Sequence, residues 1–446
     1  MPRFGLILAV TVAFVLLLAG LASPSVSAAR SCAPAVSSGS TRTSGGGGLM
    51  AGLTLDQLTD RSSLVAVARV ESFRACAAGP GAGTVTEVTL AIERPLKGAQ
   101  APAARVTVDV PGGHFDGHTM LVGTSPEFAA GERVVVFLRR LPGGRLRATG
   151  DFQGKLDVDA AGQVAGLGLS IGQLDAAVAK ASQGTLPPAE DPRASSAGAL
   201  VEPAFVAFAF WDAADMPVPF WVNLDTGRPA QLTAAETQQA WTAAFATWQN
   251  GASSNITFQL AGTTTRVSAV DACPGPDGNN DITWGLFDPD HDPNVLAVTL
   301  SCISGLGRIL DAEIEFDTDQ FGPAWRVDGS GACGSGLFDL ETVALHETGH
   351  FIGLGHPSAN GCAGPAPVCP VMNASYTGVL RSLCLDDIGG VDALYGTGVG
   401  GLAAAPEIAE PRTGGRHARI VTALAIATAT AGAVAATLVV RRRARH

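Results

Sequence analysis

The pattern of apolar and polar residues changes part-way along the chain. In the first half, short β-rich runs at 64–70, 84–92, 106–110 and 134–138 are separated by turns that carry Gly and Pro. Short strands at this spacing favour a small barrel or sandwich, so residues 49–170 are interpreted as an all-β, barrel-like domain.

The second half mixes helix and strand patterns, after a helix and a Pro-, Ala- and Ser-rich linker over 171–202. We therefore predict an α+β domain over 203–396. A strand is expected at 218–222, and a capping box formed by Thr233 and Glu236 begins a helix whose Trp and Phe stripe belongs to the core. Asp339 is a favourable N-cap for a second helix.

Both ends of the chain are apolar. A basic residue, an apolar run and small residues predict a secretory signal peptide over 1–29, with a lipoprotein signal acylated on Cys32 as the alternative. Residues 420–440 are uncharged and long enough to cross a bilayer of about 30 Å as a transmembrane helix. The basic tail 441–446 should stay cytoplasmic, which leaves the bulk of the chain outside. The alternatives are an alanine-rich tail and a processed sorting signal. Linkers occupy 30–48 and 397–419.

The composition restricts which classes of partner and which cellular compartment we expect. A net charge of −11 without a large basic patch argues against nucleic-acid binding. We expect a monomer whose partners are a protein or peptide substrate and a membrane. Abundant Ala, Gly and Arg indicate a GC-rich bacterial genome. The eight cysteines suit disulfides in an oxidising, extracellular location, although sequence does not fix their connectivity. Our pairing is Cys32–Cys76, Cys273–Cys302, Cys333–Cys384 and Cys362–Cys369.

The stretch from His346 to His356 has the residues and spacing of a metal site. His346 and His350 lie four residues apart, so on a helix both imidazoles reach one metal ion. Glu347 lies between them and can act as general base on a metal-bound water. Gly353 permits the left-handed backbone that ends a helix and brings His356 to the metal as a third ligand. Three protein ligands leave one position open, which is typical of a catalytic zinc.

This motif resembles the zinc signature of the metzincin metallopeptidases, and its surroundings are most similar to the matrixin branch, which includes the matrix metalloproteinases. Met372 lies where that family has its methionine turn, and 386–396 resembles the closing helix. The resemblance spans about 203–396 and implies a zincin fold, a twisted mixed sheet with three helices. Asp386 and Asp387 would then be structural residues beneath the metal.

Other parts of the resemblance are less complete. The β-rich domain is similar to netrin-like, OB-type modules, which include tissue inhibitors of metalloproteinases, but it lacks their amino-terminal Cys-x-Cys. Pro357 stands where matrixins usually have serine. Because the sheet region offers only His291, we predict one zinc rather than two. Asp317 and Asp319 follow a family calcium pattern, with a solvated acidic turn as the alternative.

Three acidic residues around His291 suggest calcium in the same way; they are Asp288, Asp290 and Asp292. The propeptide cysteine switch of vertebrate matrixins is absent from the sequence. Activation by linker cleavage and shielding by the amino-terminal domain are both open hypotheses.

The resulting interpretation is a secreted, membrane-anchored zinc metalloendopeptidase on the cell surface. Zinc would polarise the scissile carbonyl, Glu347 would move the proton, and the sheet edge near 309–316 would hold an extended substrate. The alternative is a catalytically silent zinc protein that serves in adhesion or binding.

Overall fold

The computed structural model describes residues 30–35, 48–77, 83–165, 167–183, 205–251, 254–267, 273, 276–286, 288, 290–357 and 369–396. The predicted signal peptide and transmembrane helix lie outside these residues. Within the described ranges, no helix is long and apolar enough to cross a membrane.

The described part contains five α-helices and twenty strands. The helices are α1 (Leu55–Arg61), α2 (Ile171–Ala181), α3 (Ala234–Gly251), α4 (Leu340–Phe351) and α5 (Leu385–Tyr395). The amino-terminal strands are β1 (Gly48–Met50), β2 (Leu64–Ala77), β3 (Thr84–Lys97), β4 (Arg105–Pro111), β5 (Gly113–Phe115), β6 (His118–Val122), β7 (Arg133–Arg140), β8 (Leu146–Ala148), β9 (Lys155–Asp157), β10 (Gln163–Val164) and β11 (Leu169–Ser170). The remaining strands are β12 (Val206–Ala207), β13 (Val218–Val222), β14 (Phe258–Thr263), β15 (Asp281–Trp284), β16 (Val295–Ile303), β17 (Ile309–Phe316), β18 (Trp325–Arg326), β19 (Phe338–Asp339) and β20 (Leu354–Gly355).

The amino-terminal sheet closes on itself. Its strand order is β2-β3-β4-β8-β7, and β2 also pairs with β7, from Leu64 opposite Leu138 to Arg69 opposite Arg133. Alternate residues of β2 point into the barrel, while Val65 and Val67 pack outside it in a cluster with α1 and α2. The predicted small barrel is therefore present, and both faces of β2 are covered.

The second sheet is mixed, with the order β14-β13-β15-β17-β16-β6-β5. Strands β13, β14, β15 and β17 are parallel to one another, and β16 runs antiparallel to β17. The helices α3 and α4 contact each other against this sheet, around fully buried rings that include Trp241, Trp248 and Phe316. A mixed sheet with the three helices α3, α4 and α5 is what the sequence predicted for 203–396.

The strand next to the zinc motif differs from our expectation. We predicted that 309–316 would form the sheet edge, but β17 lies inside the sheet, between β15 and β16. The outer edge of β16 is instead paired with β1 and β6, which come from the amino-terminal part of the chain. The reason is that the β5–β6 hairpin leaves the barrel between β4 and β7 and buries Leu121 and Val122 against the second sheet.

Ion pairs fasten the barrel to the second domain. Arg145 pairs with Asp290 at 2.6 Å and Arg147 with Asp288 at 2.5 Å, and Arg139 Nε lies 3.5 Å from Asp292. The acidic residues that suggested calcium in the sequence therefore face arginines of the barrel.

The disulfides confirm part of the predicted pairing. Cys32–Cys76 and Cys273–Cys302 are bonded as expected. Cys369 is bonded to Cys384, so the predicted pairs Cys333–Cys384 and Cys362–Cys369 are wrong. Cys333 is disulfide-bonded, and Cys362 lies outside the described residues. The chain returns to the start of α5 after the methionine turn, and this places Cys369 beside Cys384, with their Cα atoms 6.0 Å apart.

Candidate metal centre and active site

Helix α4 carries the first two candidate ligands. Asp339 Oδ1 accepts the backbone N–H of Thr342 at 3.0 Å, so it is the predicted N-cap. Trp248 on α3 donates its indole N–H to the carbonyl of Leu345 at 2.7 Å. Every residue from Leu345 to Phe351 is buried, so this part of the helix is packed on all sides.

A glycine turn brings the third histidine back to the helix. Gly353 has φ +97°, and a Cβ at this position would lie 2.0 Å from the carbonyl oxygen of Ala209. After this turn, β20 pairs with β12, and His356 follows immediately. The positive φ agrees with the predicted helix end.

The three imidazoles converge on one point. His346 Nε2 lies 2.8 Å from His350 Nε2, and His356 Nε2 lies 3.1 Å from both. Zinc–nitrogen bonds of about 2.0–2.1 Å at tetrahedral angles require nitrogen separations of about 3.3 Å, so the triad fits zinc with a small expansion. The cluster contains no other His, Cys, Asp or Glu ligand among the residues whose structure is described.

Hydrogen bonds and burial leave the inward-facing nitrogens available as ligands. His346 Nδ1 bonds to the carbonyl of Val371 at 2.8 Å, and His350 Nδ1 bonds to that of Leu354 at 2.6 Å. Burial lowers the pKa of His346 to about 4, and burial with the neighbouring rings lowers the pKa of His350 and His356 well below the usual value. Neutral rings that donate through Nδ1 present the Nε2 lone pair to a metal.

Glu347 lies beside this triad. Its Oε2 accepts a hydrogen bond from Thr299 Oγ1 of β16 at 2.8 Å, and its Oε1 accepts one from the backbone N–H of Leu49 at 2.9 Å. Burial raises its pKa to about 8, and the two hydrogen bonds lower it only in part. A carboxyl group with this pKa can exchange a proton near neutral pH.

The methionine turn packs beneath the histidines. A Cβ at Gly349 would lie 2.2 Å from Met372 Sδ, so the sulfur fills the space that a side chain would need there. Asp387 Oδ1 accepts the backbone N–H of Met372 at 3.2 Å, and its Oδ2 accepts that of Val371 at 2.9 Å. Asp387 thus holds the carbonyl that orients His346.

Two walls border the site. One is β16, and the other is the segment from Asn373 to Thr377. Between them lies a cavity beside His346 whose lining includes Val371, Tyr376 and the side chain of Leu49. The ring of Phe152 lies 5.8 Å from that of His356, measured between centroids, so the amino-terminal domain reaches the metal site as well.

Four residues around the site were missed by sequence reasoning: Leu49, Thr299, Phe152 and Tyr376. Thr299 is one of two hydroxyl residues, with Ser301, in a largely apolar strand, and that is the one signal that could have marked it. The other three become neighbours of the histidines only through long-range folding.

The predicted calcium residues Asp317 and Asp319 belong to none of the groups of three or more metal-binding side chains found among the described residues. Asp317 Oδ1 accepts the backbone N–H groups of Gln320 and Phe321, and its Oδ2 lies 3.4 Å from His291 Nε2. Asp319 is exposed. A different acidic group brings ligand oxygens within 4.8 Å of one another; it consists of Asp277, Asp311 and Glu313.

The comparisons agree with this geometry. The sequence model of the matrixin family matches residues 222–396, which include the whole histidine triad and the methionine turn. Residues 222–396 thus form a matrixin-like domain.

Proteins similar to this matrixin domain occur in plants and bacteria. Metalloendoproteinase 4-MMP of Arabidopsis thaliana is 35% identical over 125 residues, covering 26% of this chain and 32% of that protein. Metalloendoproteinase 1 of Glycine max is 36% identical over 90 residues, covering 19% and 26%. Karilysin of Tannerella forsythia is 36% identical over 83 residues, covering 19% and 14%. The chain thus spans a third or less of the length of each of these relatives.

Proposed function

We propose that the chain is a zinc-dependent metalloendopeptidase whose metal is held by His346, His350 and His356. The observation that carries this proposal is the convergence of three neutral Nε2 atoms within 3.1 Å of one another, with a protonatable carboxyl group beside them. One zinc ion is proposed for this site. A role for calcium stays a prediction.

Each protein group has a defined task in this reaction. When bound, zinc supplies a Lewis acid and lowers the pKa of water to about 7. Glu347 takes a proton from the attacking water and later delivers it to the leaving amine. Thr299 orients Glu347 through its 2.8 Å hydrogen bond. Asp387 and Met372 keep the floor of the site in place.

The substrate would bind as an extended strand between the two walls. β16 offers backbone groups on one side, and the segment from Ala374 to Tyr376 offers them on the other. The cavity beside His346 would receive one apolar side chain, since Val371 and Leu380 contribute to its lining. Substrate proteins are not identified by this geometry.

The location is proposed from the two ends of the chain. Disulfides are stable in oxidising compartments, and the bonded pairs Cys32–Cys76, Cys273–Cys302 and Cys369–Cys384 fit export through a signal peptide at 1–29. Anchoring by 420–440 rests on the sequence pattern alone.

Hydrolysis of a quenched-fluorescent peptide library by the purified chain tests the proposal, together with zinc content by mass spectrometry. Glu347→Gln should lower kcat/KM by at least about 100-fold and retain one zinc, because the general base is lost and the ligands remain. Glu341→Gln is the matched control. Glu341 lies on the same helix but pairs with Arg381, 3.1 Å away, so it should retain activity. A chain that binds one zinc and cleaves no peptide would contradict the peptidase assignment.

A further inference from the structure

The matrixin cleft holds a strand of the chain itself. β1 runs antiparallel to β16, with Gly48 opposite Val298 and Leu49 opposite Ala297. On its other side, Met50 donates its N–H to the carbonyl of Ala374 at 3.3 Å and accepts the N–H of Tyr376 at 3.1 Å. The strand is therefore hydrogen-bonded to both walls, in the position proposed above for a substrate.

Leu49 borders the side-chain cavity of this cleft. Its side chain is 3% exposed and lies among the residues that line the cavity beside His346. Gly48 fits tightly on the other side of the peptide bond, because a Cβ there would lie 2.9 Å from Thr124 Cγ2. The apolar residue thus lies at the cavity beside His346, and the residue before it has no side chain.

The peptide bond between Gly48 and Leu49 lies next to Glu347. Leu49 N donates to Glu347 Oε1 at 2.9 Å, and the carbonyl carbon of Gly48 is one peptide bond away, about 1.33 Å. General-acid assistance in peptide hydrolysis requires a proton donor next to the leaving nitrogen. Glu347 Oε1, which accepts the N–H of Leu49 in this structure, lies where it could carry that proton after taking it from water.

We propose that Gly48–Leu49 is a peptide bond that the chain hydrolyses in its own active site. Water adds across this bond: the hydroxyl joins the carbonyl carbon of Gly48, the C–N bond breaks, and Leu49 N leaves as an amine with a proton delivered by Glu347. This inference rests on the proposed peptidase function. It identifies the first substrate of the site as residues of the same molecule.

The disulfide determines what cleavage releases. Residues that precede Leu49 stay attached to the barrel through Cys32–Cys76. On the other side of the cut, Gln153 holds the new terminus: its Oε1 accepts the N–H of Leu53 at 2.7 Å, and its Nε2 donates to the carbonyl of Ala51 at 3.1 Å. A cut chain therefore keeps its parts together until the disulfide is reduced.

The test incubates the purified, disulfide-intact chain with zinc and follows its intact mass with and without reductant. The wild type should gain the mass of one water molecule without reductant, and should separate into two fragments, one beginning at Leu49, after reduction. Glu347→Gln should stay whole. Glu347→Gln chains mixed with wild type should also stay whole, because their Gly48–Leu49 bond is buried in their own cleft.

A second test measures cleavage of a synthetic peptide with the sequence of residues 44–54. Its result does not depend on whether a variant of the whole chain folds. The processed enzyme should cut it between the positions of Gly48 and Leu49. Leu49→Asp in the peptide should slow cleavage by at least about 100-fold, because a charge would enter an apolar cavity. Leu53→Asp is the matched control and should be cut, since Leu53 is bound by the barrel rather than by the cavity.

The outcomes separate the two proposals. A chain that cuts library peptides but leaves Gly48–Leu49 whole, or cuts elsewhere, overturns the inference and leaves the peptidase function standing. A zinc-loaded chain that cuts neither overturns both. Cleavage of the Glu347→Gln chain by added wild type would refute hydrolysis within one molecule.

Discussion

Gly353→Ala should destabilise the metal site through the turn that joins its second and third ligands. The backbone there has φ +97°, which costs a residue with a side chain about 1–2 kcal/mol. The new Cβ would also lie 2.0 Å from Ala209 O and 2.6 Å from Ala209 C. Ala209 cannot easily move aside, because its neighbour Phe208 donates its N–H to Gly353 O at 2.9 Å. Displacing packed atoms adds about 1–3 kcal/mol, so the free energy of unfolding should fall by about 2–5 kcal/mol.

The measurement is urea unfolding of the zinc-free chain with disulfides intact, followed by tryptophan fluorescence. Gly329→Ala is the control, since Gly329 has φ +79° but no atom lies within 4 Å of a Cβ placed there. It should lose about 1–2 kcal/mol, from the backbone alone. Equal losses in the two variants would refute the contact with Ala209 as a source of strain. Zinc affinity should fall with Gly353→Ala only, because this turn sets the position of His356.

Three further predictions concern the support of the site and its cover. Asp387→Asn should weaken zinc binding about 10–100-fold by loosening the methionine turn, as measured by competition with a chelator; unchanged affinity would contradict its positioning role. Burial opposes the charging of His291, but the hydrogen bonds and charges of Asp317 and Asp288 together outweigh it and raise its pKa above 6.5. The stabilisation that charged His291 provides should therefore be complete below about pH 6.5. It should be lost as the pH rises through the higher pKa that His291 has in the folded protein. Urea unfolding at pH 6 and pH 8.5 should show a larger deficit for His291→Asn at pH 6, and equal deficits would refute this sign. Arg147→Met removes the barrel residue that pairs with Asp288 and should weaken docking of the barrel. Since we expect the docked barrel to shield the cleft, kcat/KM for added peptides should rise at least about tenfold. No change in that assay would show that docking does not limit access.

Local patterns predicted the elements that carry the chemistry. The cap at Asp339, the spacing of His346 and His350 and the glycine at 353 all act within a few residues, so their structural consequences could be worked out without the rest of the chain. The strand at 218–222 was likewise predicted from its local pattern, and 309–316 from its alternating residues and its resemblance to a matrixin strand.

Local sequence patterns could not predict which distant segments of the chain pair with one another. The strand that borders the cleft is β16 rather than β17, since strand order depends on which distant segments hydrogen-bond. Cys369 pairs with Cys384 for a similar reason, as the connectivity follows from where the chain returns and not from spacing.

The sequence by itself determined the donor set: three histidines, a carboxylate between them and a glycine that allows the turn. Only the tertiary structure decided what occupies the cleft. Leu49 and Glu347 are separated by 298 positions, yet a hydrogen bond of 2.9 Å joins them. Such a contact follows from the closure of a barrel, the docking of its arginines on acidic residues and the pairing of β1 with β16. The periodicity of the sequence does not indicate these long-range contacts, because each depends on surfaces that exist only after both domains have folded.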